Sequence, residues 1–383
     1  MDRVDVTTYL RRLSEFVGIF DELNIKIVLA MHRIGPRNLL EVARQIRVPW
    51  TTVYSRVRKL EKQFMPLTYV NPAFSKIGLV RVAVFALAAP GKEFITDELL
   101  RLPNFWSTTS STEGPFSHYS VHAVPFNYIS EFKEYLERLQ ELGIVQRCLT
   151  TEISDSHGVF PSFEFFDPKV RTWLLDWDRW LRDSVEPKKT LAISDPSTYE
   201  VVADRMDLLI LKELQKNGRK RFSEISRVLG ITLQAVKHRF DSNIIKKDMI
   251  QHYVFRFVPY PMELSDLREV RLEFPDERLM NRFFSAGTSF PFVLSASKVL
   301  GKAALMMRTI VPRASQGKFF SFISNLAKRG LIRDYSTIRL HAEDLRRQTI
   351  SYELYDNELG WRWDLNKCLS AAENVVKRSY VRT

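Results

Sequence analysis

The chain has 383 residues, a formal net charge of +12, 45% hydrophobic and 27% charged side chains, and two cysteines. That length allows two to four domains, and the balance of apolar to charged residues is that of an ordinary globular protein. The longest apolar runs, about ten residues and broken by charge, are too short to span a membrane, and two cysteines exclude a disulfide scaffold and fit a reducing cytoplasm.

In chain order, residues 1–20 lack the apolar core of a signal peptide and read as a capped helix. The stretch from Asn24 to Leu60 then reads as helix, short helix, turn, helix. Ile27, Val28 and Met31 line the inner face of its first helix, and Leu39, Val42, Ala43 and Ile46 that of the second. Pro49 or Trp50 opens the third, with Val53, Val57 and Leu60 inward. Shifted by 183 positions without a gap, the same pattern recurs from Asp207, so that Gly35 falls on Gly218, Glu41 on Glu224, Val53 on Val236 and Arg56 on Arg239. Thr232 is the predicted N-cap of the second copy's third helix.

After each copy comes strand, helix, two strands, amphipathic helix, strand. In the first half these are Leu79–Ala88, Glu93–Leu102, Ser107–Ser111, Ser117–Val124, Tyr128–Leu142 and Val145–Ile153. In the second they are Arg268–Phe274, Asp276–Ser285, Phe292–Ser297, Lys302–Val311, Ser315–Arg329 and Ile332–Leu340. Gly114 and Gly301, Pro125 and Pro312, and Gly143 and Gly330 are all 187 apart. This βαββαβ order is the ferredoxin-like unit. A third matching block sets Ser162–Asp167 over Ser351–Asp356, with alternating aromatics that predict an added strand and then a helix bearing Trp173, Trp177 and Trp180. The expected fold is therefore α+β, with two tandem units, each a winged helix-turn-helix followed by a ferredoxin-like (βαββαβ) domain. The expected boundaries are 1–66, 67–185 with a strand-helix extension, a linker at 186–203, then 204–260 and 261–383. The largely apolar stretch Ala303–Val311, with Arg308 the exception, predicts that the two ferredoxin-like sheets pack face to face.

The charge is localised. Residues 21–62 hold nine basic and four acidic side chains, and residues 204–250 hold eleven and six, so these two segments carry +10 of the +12. A basic surface on a helix-turn-helix is a phosphate-binding surface. The N-terminal part of a recognition helix meets base edges and later cations meet phosphates. Thr51, Tyr54 and Ser55, with Gln234, Lys237 and His238 at the matching positions, are the predicted base contacts. Arg56, Arg58, Lys59 and Arg239 are the predicted phosphate contacts, together with Lys246 and Lys247 in a wing read as two short strands over Ile244–Val254. The first copy's equivalent, Phe64–Val70, is less charged.

The run Pro49-Trp-Thr-Thr-Val-Tyr-Ser-Arg-Val-Arg-Lys-Leu-Glu61 resembles the recognition helix of the Lrp/AsnC class of prokaryotic transcription regulators. That class joins a winged helix-turn-helix to a ferredoxin-like, ligand-sensing and dimerising domain, and the resemblance covers most of residues 21–155 and 204–341. It implies transcriptional control through double-stranded DNA, by a monomeric pseudo-dimer or a homodimer, with a small-molecule effector left unidentified. Members that sense amino acids carry a Gly-Asp-x-Asp-like hairpin. Here Pro115-Phe-Ser117 follows Gly114 and Lys302-Ala-Ala304 follows Gly301, so those acids are absent.

No phosphate loop, His-Glu-x-x-His, Cys-x-x-Cys or Gly-x-Ser-x-Gly occurs. His118, Ser120 and His122 alternate along one strand face, each about seven ångströms from the next. The histidines' matches, Leu305 and Thr309, supply no third ligand, and Cys148 and Cys368 read as packing residues. Siroheme decarboxylases share the Lrp-like architecture, but their basic, histidine-bearing hairpin is not evident. A protein-interaction module is the other alternative. The reading expects no enzyme, no cofactor and no metal.

Overall fold

The computed structural model describes residues 15–381 apart from 65–66, 161, 170, 187–190, 257 and 259. The capped helix expected at 1–20 lies outside the described residues up to residue 14.

Both helix-turn-helix units form because short amphipathic segments bury the faces that their spacing predicts. In the first, α1 (Glu22–Ile34), α2 (Leu39–Ile46) and α3 (Trp50–Gln63) enclose Ile27, Val28, Met31, Leu39, Val42, Ala43, Val53, Val57 and Leu60. Each such side chain contributes about 1.5–3 kcal/mol when fully buried. The Asp21 carboxylate accepts from the Asn24 N–H at 2.7 Å and closes the start of α1.

After β1 (Thr68–Pro72), the first ferredoxin-like unit runs β2 (Leu79–Ala88), α4 (Glu93–Arg101), β3 (Trp106–Glu113), β4 (His118–Pro125), α5 (Ile129–Glu141) and β5 (Val145–Ile153). A short strand β6 (His157–Gly158) follows, then a hairpin of β7 (Phe166–Asp167) and β8 (Thr172–Trp173), then α6 (Trp177–Val185). The second half repeats this as α7 (Arg205–Lys216), α8 (Phe222–Leu229), α9 (Leu233–Arg239), β9 (Ile250–Phe255), β10 (Ser265–Glu273), α10 (Glu277–Gly287), β11 (Val293–Lys298), β12 (Ala304–Pro312), α11 (Gln316–Lys328) and β13 (Asp334–Leu340). It closes with β14 (Arg346–Gln348), the hairpin of β15 (Tyr355–Asp356) and β16 (Gly360–Trp361), and α12 (Leu365–Val381). The chain is thus α+β, and a strand order of β5-β2-β4-β3 in one half mirrors β13-β10-β12-β11 in the other.

The sheets meet face to face, and they are also stitched along an edge. Arg81 on β2 donates to the Ser297 hydroxyl on β11 at 2.7 Å, and Arg308 on β12 lies 6.0 Å from the Tyr119 ring of β4. Arg308 is held by Glu269 at 3.1 Å, which explains how a lone arginine is tolerated on the inner face. At one margin β13 pairs with β3, Arg339 opposite Glu113, and at the other Ile153 bridges Val299. Every long strand therefore finds a neighbour within the chain.

Three expectations need correcting. The wing read over Ile244–Val254 is not a pair of strands. No helix breaker follows Arg239, so the helix continues as a π turn over Phe240–Ile245 and buries Phe240 and Ile244. Only β9 remains extended, and it pairs with β1 of the other half, Val70 opposite Tyr253. The strand expected over 163–167 is a 3₁₀ turn leading into the small hairpin β7–β8. In the helix that follows, Trp180 is fully buried, whereas Trp173 sits on β8 instead.

The two extensions cross over. Helix α6, from the first half, packs on α10 and α11 of the second, with Trp177 stacked 5.2 Å from Phe292. Helix α12, from the second half, packs on α4 and α5 of the first.

Candidate nucleic-acid interface

The two helix-turn-helix units, here called readers for the role expected of them, dock through their first loops. Arg37 reaches across to the carbonyls of Gly218 at 2.9 Å and Lys220 at 3.0 Å, with its guanidinium 4.1 Å from the Phe222 ring. In return Arg219 donates to the Pro36 carbonyl and to Glu61, both at 2.7 Å. Sequence reasoning missed this latch. Its only trace was that Pro36 and Arg219 hold matching positions in the repeat.

Beside the latch opens a cleft of about 1220 Å³. Equivalent residues of both readers line it, Tyr54 matching Lys237, Arg58 matching Asp241 and Asn38 matching Arg221. Lys62, Lys216, Lys220 and Glu224 complete the polar wall. Not all of this charge is free. Lys216 and Lys220 share the buried Glu213, and Arg219 is paired with Glu61. Arg58, Lys62, Arg221 and Lys237 are exposed and have no acid within 4.0 Å among the described residues. Sequence reasoning did not single out Lys62 or Arg221, because only the docking of the second reader brings Arg221 beside α3.

The predicted base contacts Thr51, Tyr54 and Ser55 are exposed on α3, and Gln234, Lys237 and His238 are exposed on α9. Tyr54 stacks on Trp50 with ring centres 5.2 Å apart, which holds the phenol in place. Of these six, only Tyr54 and Lys237 line the cleft. The other four are on helix surface beyond it. Thr232 caps α9 as predicted, its hydroxyl accepting from the Ala235 N–H at 3.1 Å.

Arg58, Lys59, Lys246 and Lys247 are exposed, although Lys247 also donates to the Val202 carbonyl at 2.9 Å. Arg56 and Arg239, expected at phosphates, are engaged within the fold. Arg56 pairs with the N-cap Asp21, and Arg239 with the N-cap Asp204 at 2.6 Å and with Asp207 at 3.0 Å. Each ties its recognition helix to the start of the same unit's first helix. Identical placement in both copies is a mark of structure as much as of ligand, and the repeat alone could not tell the two apart.

His118 and His122 are both buried on β4. Each meets a serine, Ser117 at 2.9 Å and Ser120 at 2.8 Å. Burial pushes His122 down to about 3, so its ring is neutral at ordinary pH. Among the described residues no group of three or more His, Cys, Asp or Glu could hold a metal ion, and no helix is long and apolar enough to cross a membrane.

Residues 204–242 match the family of AsnC-type helix-turn-helix domains. No curated protein matches the chain. Among solved structures, the siroheme decarboxylase NirDL is 11% identical, covers 91% of this chain and 98% of its own, and superposes with a TM-score of 0.54. NirDL in co-complex with an iron-uroporphyrin III analogue gives 10%, 92%, 98% and 0.52. AsnC of E. coli, at 18% identity, covers 34% of this chain and 90% of its own with a TM-score of 0.27. The likeness over 91% of the chain corrects the expectation of no enzyme, because a siroheme decarboxylase shares this fold.

Proposed function

We propose that the chain binds double-stranded DNA through both readers at once and regulates transcription. The observation that carries this reading is the cleft joining equivalent faces of α3 and α9, with Arg58, Lys62 and Arg221 free to meet phosphate and Lys237 beside them. Affinity comes from those cations and from Lys59, Lys246 and Lys247, by release of counterions. Specificity comes from Thr51, Tyr54, Ser55, Gln234, Lys237 and His238. The AsnC-type match over the second reader supports the same assignment.

The test is fluorescence anisotropy on duplex pools across a salt gradient. Arg58, Lys62 and Arg221 changed together to Ala should weaken binding on every duplex and lower the salt slope by about three units. An unchanged slope would sink the reading and leave the cleft as a surface for a protein partner.

The full-length likeness to NirDL favours a second reading, in which the fold acts on an iron tetrapyrrole. A Soret shift on titration with iron-uroporphyrin, together with loss of carboxylate groups from it, would support this reading over the first.

A further inference from the structure

Because the halves are built alike, the places where they differ are informative. Beside the second reader the segment leading into α7 is zipped down. Ile77 bridges Val201, the Val202 N–H donates to the Lys76 carbonyl at 3.0 Å, and Tyr199 stacks on Phe126 at 5.0 Å. The polar groups there are satisfied. The Trp361 indole N–H donates to the Ile77 carbonyl at 2.7 Å and the Tyr355 hydroxyl to the Ala203 carbonyl at 3.2 Å.

At the matching place beside the first reader lie Phe16 and Val17, whose counterparts are Tyr199 and Glu200. Here a cavity of about 270 Å³ remains, bounded by the hairpin β7–β8 and by Tyr260, Pro261, Pro312 and Ser315. Its walls are aromatic. Trp173 lies 5.1 Å from Phe166 and 5.6 Å from Tyr260. Tyr260 is buried beside it, 5% exposed.

Arg171 stands at the edge of this cavity, exposed, with φ +52°. Its counterpart in the other hairpin is Gly360, at φ +73°. Left-handed backbone favours glycine, yet the first half keeps an arginine there. A strained position at the edge of a pocket is where strain and function coincide.

We propose that this cavity binds a small aromatic carboxylate, with its ring against Trp173 and its acid group on Arg171. The volume, just under that of a drug-sized site, limits the ligand to one or two fused rings. The inference stands apart from the duplex reading.

Isothermal titration of the full chain with indole-3-acetate, and with indole as the neutral probe, tests it. Saturable one-to-one binding of the acid is expected. R171G should weaken the acid by about tenfold or more, leave indole unchanged and keep the melting temperature at least as high, since glycine suits that backbone. Absence of saturable binding would overturn the proposal. So would equal affinity for the acid in R171G, or binding that arises only once residues 1–14 are deleted, which would mean that the chain fills its own cavity.

Discussion

Arg239 illustrates how one residue can be misassigned from sequence. Its neighbours Lys237 and His238 point outward, while it turns inward to Asp204 and Asp207, and Asn243 adds a donor to Asp207 at 3.1 Å. Asp207 is 1% exposed, so Arg239→Ala strands a buried carboxylate. The expected loss is about 2 kcal/mol in urea unfolding, against about 0.5 kcal/mol or less for Lys246→Ala, which touches nothing buried. The same contact has a pH signature. Burial alone would raise the Asp204 carboxyl, but hydrogen bonds from Arg239 and from the Asp207 backbone outweigh it and hold the group below its usual range. That stability is present at neutral pH and drains away as pH falls through the lowered value, so R239A should flatten the acid limb of the stability profile. On DNA the contrast reverses. Lys246→Ala should weaken every duplex alike and lower the salt slope by about one unit. Gln234→Ala should change the preference between sequences by about 1–3 kcal/mol at the base it reads. Lys247, already tethered to the Val202 carbonyl, should contribute less than Lys246.

At the scale of elements, periodicity made most of the molecule legible. Of the residues that helical spacing marks, α5 and α11 bury Phe132, Leu136, Leu139 and Phe319, Ile323, Leu326, whereas Leu142 at the end of the first series is exposed, and Gly143 and Gly330 follow with φ of +66° and +68°. Where the pattern failed, a competing partner decided. Ile244-Ile-Lys-Lys-Asp-Met-Ile has alternation enough for a strand, but Phe240 and Ile244 had a core to fill while still helical. What the extended remainder pairs with is β1, far away in sequence. The Arg37–Arg219 latch is another such case, since three of its four acceptors are backbone carbonyls, which leave no trace in side-chain pattern. Replacing both arginines with Ala should leave affinity for a single half-site intact. Affinity for the full site should fall by about tenfold or more and tolerance for altered spacing should widen, because two readers held rigidly bind as one. A selection over half-site spacings checks this, and an unchanged spacing optimum would dismiss the latch as a mere contact.

Across the whole molecule the halves are interlocked, with α6 serving the second ferredoxin-like unit and α12 the first. Phe105 and Tyr135 meet Trp363 at the root of α12, with ring centres 5.1 and 6.4 Å away. Ending the chain at residue 364 should therefore destabilise the first unit although it removes nothing from it. Unfolding followed separately at each half would register this as a lowered first transition. The two recognition helices differ in sequence, so a selection of bound duplexes should return unlike half-sites. A clean palindrome would contradict a single chain acting as its own pseudo-dimer.

The sequence by itself determined the duplication, most of the order of helices and strands within each copy, most of the residues facing each core and the placement of the basic charge. All of these follow from local periodicity and composition, which a linear chain carries intact. Only the tertiary structure decided that β1 pairs with β9, that the sheets join at an edge as well as a face, that α6 and α12 exchange, and which arginines remain free. Those outcomes turn on which of several chemically equivalent partners arrives first in space, and like residues in a repeat offer the chain identical choices until folding brings one of them near.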